Sequence, residues 1–167
     1  MTALAPETAD ESALQALRAW VTSVTSLEVA TEPFEERRPA LPYMGIRLTS
    51  PGRGEGHDAE TYADDDGDGL AVRSGVRRAT ATLNAYGSGG AGAIETLRLS
   101  IASSAHRETL LAAGVVVIRV GQTRDASDWF GDKTETRHIA EVDFRYVVAA
   151  SDPVDVIESV EATIATE

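Results

Sequence analysis

The chain has 167 residues, 43% of them apolar, and no cysteine, so a core of single-domain size is within reach without disulfides or thiolate metal sites. A formal net charge of −12 argues against a nucleic-acid or anionic-membrane surface, both of which need clustered Lys and Arg. No apolar run approaches the roughly 20 residues that span a bilayer, and Met1-Thr2-Ala3-Leu4-Ala5-Pro6 lacks the basic start and apolar stretch of a secretory signal, so a cytoplasmic site of synthesis is expected.

Residues 1–9 are expected to form a flexible tail ahead of one domain, 10–167. A helix is predicted from Asp10, a suitable N-cap, to Thr25, with Leu14, Leu17, Val21 and Val24 on one stripe. Pro33, Pro39 and Pro42 make residues 31–42 an extended connector. Tyr43–Thr49 alternates as a strand. Residues 50–69, rich in Gly and Asp, read as a long hairpin connection or mobile acidic loop. A strand from about Leu70 to Tyr86 follows, with a break expected near Ser74-Gly75.

Two helices are predicted next, Ala91–Ser103 and Ala105–Ala113, the second closed by Gly114 as a left-handed C′ residue. The continuous apolar run Val115–Val120 suggests a central strand covered on both faces. Residues 121–135 read as a loop. Ala140–Val148 is the clearest alternating strand, Asp152-Pro153 suggests a turn, and Val154–Ile164 alternates again. The fold class expected is α+β: a single domain with a mainly antiparallel or mixed sheet and two or three helices packed on it.

The segment Gly87-Ser88-Gly89-Gly90-Ala91-Gly92 satisfies G-x-G-x-x-G between a strand and a helix. In a nucleotide site such glycines let backbone N–H groups approach a pyrophosphate. Against that reading, the preceding strand alternates and no acid closes the next one. The βαβ series also stops there, so a plain strand-to-helix turn is the simpler account. Asp64, Asp66 and Asp68 before Gly69 match half a calcium loop, but Gly75 stands where a bidentate Glu belongs. His57, His106 and His138 show no metal-ligand spacing. No nucleophile motif is present, so no catalytic residue, cofactor or metal is assigned. Trp129 and Phe130, set among acids, either cap the core edge or meet a partner.

Four motifs in order carry a wider likeness: Arg38-Pro39-Ala40-Leu41-Pro42-Tyr43, Leu83-Asn84-Ala85-Tyr86-Gly87, Leu110-Leu111-Ala112-Ala113-Gly114-Val115 and Ala140-Glu141-Val142-Asp143-Phe144-Arg145-Tyr146. Together they make the chain resemble the neck or tail terminator proteins of tailed phages over roughly residues 10–164. The acidic 50–69 segment and the proline in the final turn depart from that pattern. The resemblance implies a structural virion protein, not an enzyme, assembled in the host cytoplasm. It implies a ring, usually of six copies, that caps the tail tube, meets the head connector and other neck proteins and, in some tails, the sheath, while DNA passes without specific binding. Interface candidates on this reading are Arg38, Pro39, Tyr43, Asp64, Asp66, Asp68, Trp129 and Phe130.

Overall fold

The computed structural model describes residues 3–33, 38–65, 68–130 and 133–153. The strand expected over Val154–Ile164, and Asp66, lie outside the described residues. A 3-10 turn, Pro6–Thr8, leads into α1, Ala9–Thr25. Strands β1 (Glu28–Thr31), β2 (Tyr43–Gly54), β3 (Ala59–Asp65) and β4 (Asp68–Tyr86) follow. Then come α2 (Gly90–Ser100), α3 (Ser104–Ala112) and β5 (Val115–Val120). Short strands β6 (Arg124–Asp125), β7 (Asp128–Phe130) and β8 (Lys133–Glu135) precede β9, Arg137–Pro153.

Among the described residues, seven strands form one sheet with the spine β1-β2-β4-β9-β5. β3 continues the edge of β4 beyond β2, and β6 continues the edge of β9 beyond β5. All these pairings are antiparallel except β1 with β2. The fold is the expected α+β. β4 and β5 are linked through α2 and α3 but have β9 between them, so the crossover is split.

Period-2 alternation decides which face takes the helices. Ala79, Ala81, Leu83 and Ala85 of β4 face α1 to α3, beside Met44 and Ile46 of β2 and Ala140, Val142 and Phe144 of β9. Large and small side chains alternate between rows: Ala79 stands opposite Phe144, and Leu83 lies between Ile46 and Ala140. Leu17, Val21, Ile94, Leu97 and Leu110 close the core from the helices.

Several expectations change. Residues 50–69 run largely as paired strand, because β2 extends to Gly54 and β3 folds back on β4 in register from Ala59↔Ser74 to Asp65↔Asp68. β4 passes Ser74-Gly75 without a break, since β9 pairs with it continuously there. Asp152-Pro153 ends β9 as strand, opposite Ala71 and Leu70, where a turn was expected. The 121–135 loop contains β6 and the β7–β8 hairpin. β5 is an edge strand, not a central one; Val115, Val117 and Val120 are buried, while Val116 and Ile118 are 39% and 40% exposed. Leu4, in the segment expected as a tail, joins the sheet: its N–H donates to Val147 O and its carbonyl accepts from Ala149 N. Asp10 is not the N-cap; α1 begins one residue earlier, and the Asp10 carboxylate accepts from the Tyr146 hydroxyl and, at 3.1 Å, from Gly52 N–H.

α1 ends on Ser26, a non-glycine residue at φ 56° whose N–H caps Thr22 O. The left-handed region costs an L-residue about 1–2 kcal/mol, partly offset by the extra unfolded-state entropy of glycine. Ser26→Gly is expected to raise stability by about 0.5 kcal/mol. Urea denaturation checks this: the midpoint should rise with an unchanged m-value.

Candidate functional site

At one end of the sheet, three strands bring their terminal residues into one row: Tyr43 opens β2, Tyr86 closes β4 and Arg137 opens β9. The rings of Tyr43 and Tyr86 stack at 4.7 Å between centroids and 18° between planes. The guanidinium of Arg137 lies 5.5 Å from the Tyr86 ring centre, and that of Arg38, from the proline connector, lies 5.9 Å from it. Arg38 also pairs with Glu135 of β8 at 3.2 Å, which ties the connector to the β7–β8 hairpin.

The next row on the same face holds Gly45, Asn84 and Ile139. Asn84 is only 1% exposed, on the face away from the helices. Its Oδ1 accepts from Arg137 Nε (3.2 Å) and Nη2 (2.9 Å), while its Nδ2 donates to Glu32 Oε2 at 2.7 Å. Glu32 Oε1 accepts from the Tyr86 hydroxyl at 3.0 Å. The Glu32 carboxylate lies directly over Gly45; a Cβ there would meet Oε1 at 2.1 Å, so only glycine admits it. Two carboxylates, Glu32 and Glu135, and two guanidiniums, Arg38 and Arg137, therefore surround a buried amide and two stacked phenols.

Burial, then the hydrogen bond to the Glu32 carboxylate, pushes the Tyr86 hydroxyl up to about 12. Burial also raises that of Tyr43. Both phenols therefore hold their protons at neutral pH, and the cluster works as a clasp joining the connector, the sheet end and the hairpin.

Of the residues singled out in the sequence, Arg38, Pro39 and Tyr43 lie in or beside this clasp. Trp129 and Phe130 form β7 of the hairpin whose other strand supplies Glu135, and Trp129 is 76% exposed. Asp64 and Asp68 fall at the opposite end of the sheet, where β3 turns into β4. β4 alone is 19 residues long, about 60 Å at 3.3 Å per residue, so the two groups do not meet. Sequence reasoning missed Glu32, Asn84, Glu135 and Arg137 as members of the site. A glycine inside the clean alternation of β2 was the one available signal.

The glycine loop is built for packing. Gly87 has φ +88°, donates its N–H to Thr136 O, and would bring a Cβ to 3.3 Å from Pro42. Gly89 is the left-handed N-cap of α2. Around them the sheet is antiparallel, unlike the parallel βαβ of a dinucleotide site.

A family model described as phage neck terminator protein matches residues 12–167. The chain belongs to that family. No curated protein matches it in sequence. This neck terminator is thus a structural component of the phage neck, and both the connector motif and the Leu83–Gly87 motif that pointed to the family converge on the clasp.

Two outcomes follow for the neck terminator. Asn84→Ala strands the partners of a buried amide and is expected to cost about 1–3 kcal/mol by denaturant titration. Tyr86 holds its proton more tightly folded than unfolded, so its contribution is whole below pH 10 and is lost as pH rises toward 12. The stability difference between the wild-type chain and Tyr86→Phe should therefore shrink between pH 9 and 12.

Proposed function

We propose that this chain is the repeating subunit of a ring of six at the phage neck, which caps the tail tube and joins it to the head connector and neighbouring neck proteins. The observation that carries this reading is the neck terminator match over nearly the whole chain. The two-ended shape supports it. One end of the sheet carries Arg38, Pro39 and the buried Tyr43 beside the β7–β8 hairpin of Trp129 and Phe130, and Asp64 and Asp68 stand at the other. A subunit standing between two assemblies needs two such unlike ends. Exposed strand edges supply surfaces that neighbouring copies cover in a closed ring.

Six copies at −12 each would carry −72 formal charges. An acidic bore makes no phosphate contacts, so DNA passes without holding. Asp64, Asp66 and Asp68 are the residues we assign to that bore. Sheath contact, in a contractile tail, falls on the outer surface of the same ring.

Mass measurement of the chain alone and on purified tail tubes tests the assembly, with six times 17.7 kDa expected on the tube. The bore is tested by replacing Asp64, Asp66 and Asp68 with Asn. DNA ejection is expected to slow or stall in particles carrying this variant. Ejection at the wild-type rate would remove these residues from the channel wall.

A further inference from the structure

The outer edge of β5 carries no strand among the described residues. Beside it runs a groove of about 340 Å³ between β5 and α3, lined by Ile101, Arg107, Leu110, Leu111, Val115 and Val117, with His106 and Glu108 at its rim. Leu111 and Val116, which line it, are each about two-fifths exposed, as is Ile118 farther along β5. The other free edges are poorer: β1 has four residues and begins on Glu28, β3 carries Glu60, Asp64 and Asp65, and the outer edge of β2 beyond β1 holds Arg47, Pro51 and Arg53. An apolar edge strand left open beside an apolar groove is where an added strand gains most.

The same chain contains a strand pattern in need of an edge. Over residues 154–164, Val154, Val156, Val160, Ala162 and Ile164 alternate with Asp155, Ser159, Glu161 and Thr163, the phase inverting only at Ile157 and Glu158. This segment follows Pro153, the last residue of β9. The edges of the two strands beside it, β4 and β9, are almost wholly taken. β4 is paired with β9 on one side and with β2 and β3 on the other. The outer edge of β9 is held by β6, β5 and Leu4, which leaves only Ala150–Pro153. To reach its own β5, the segment would have to cross outside Leu4 and pass from the level of Pro153 to that of Tyr146, opposite Val115. That is about 23 Å at 3.3 Å per residue, and it uses most of the segment before pairing starts. A neighbouring copy can offer its β5 to the whole segment.

We propose that residues 154–164 of one copy add as a strand to the outer edge of β5 in the next, with apolar side chains entering the β5–α3 groove. Asp155 and Glu161, on the opposite face from the apolar residues, approach an edge bearing Arg107 beside Glu108 and Arg119 paired with Asp143, in a chain that is otherwise acidic. This rests on the reading above that copies of the chain assemble, and it names the contact that links them.

The absence of native cysteine gives a direct test in the full chain. Leu111→Cys, at an exposed position, is mixed with Val156→Cys, Val160→Cys or Ile164→Cys. The mixtures are oxidised with copper-phenanthroline, both as isolated proteins and in particles assembled from both variants. A reducible band at twice 17.7 kDa is expected in at least one mixture, and none when either variant is oxidised alone. A cross-link that forms only inside a single chain carrying both substitutions, with no gain in mass, overturns the proposal. So does the absence of any cross-link in both settings. A six-membered ring without the mixed cross-link sinks this contact and leaves the ring standing. A mixed cross-link without a ring on the tail tube sinks the ring and leaves the contact.

Discussion

The pairing of β4 with β9 is the constraint on which the rest of the molecule depends. All 17 residues of β9 are in register with β4, from Arg137↔Tyr86 to Pro153↔Leu70. That ladder is about 55 Å long, whereas the helix-covered core runs along it from Ala85 only as far as Tyr146, with Val148 packed at its edge. The remainder projects as an arm held by backbone hydrogen bonds and ion pairs. Arg77 grips Asp58 through two contacts of 2.7 and 2.9 Å, and Arg145 and Arg73 hold Glu55 and Glu60. These pairs are largely exposed, so each adds little stability alone; their part is to fix the approach of residues 55–60 to the ladder. Gly52 and Gly75 admit Tyr146 and Asp58 where any Cβ would collide.

This division explains what could be read without the structure. The helix-covered part was legible because burial writes a period into the sequence: α1, the start of β2, the second half of β4 and the middle of β9 all carried their alternation or stripe. The arm leaves no such record. Residues 59–65 carry no apolar period in sequence that would mark them, and their pairing comes from the ladder beside them. β5 misled for the opposite reason. Five of its six residues are apolar, which locally implies cover on both faces, but cover depends on which strand lies next in space. Here nothing in the described chain lies beyond it.

The clasp shows the same limit at the scale of a site. The family-bearing motifs were visible as words, and three of their residues were marked, but Glu32 sits among prolines with no pattern to flag it. Asn84 reads as one more polar residue on an outward face. Its three hydrogen bonds, one to Glu32 and two from Arg137, exist only because three strand ends meet there. What sequence could offer was the anomaly of Gly45, a residue that weakens a strand unless something must come close.

Charge placement joins the two ends into one argument. Along the open face of the sheet, arginines are balanced locally: Arg78, Arg119 and Thr80 surround the buried carboxylate of Asp143, and Arg124 faces Glu141. The clasp is balanced too, with two acids against two guanidiniums. The net −12 must therefore be carried elsewhere, and the sequence around the β3–β4 turn supplies Asp64, Asp65, Asp66 and Asp68 without an intervening base. Like charges within a Debye length of about 8 Å repel strongly enough to hold free arms apart. In the ring proposed above, cohesion between copies would fall to the opposite chemistry, the apolar edge beside α3, and the acidic arm would face whatever must not stick to it.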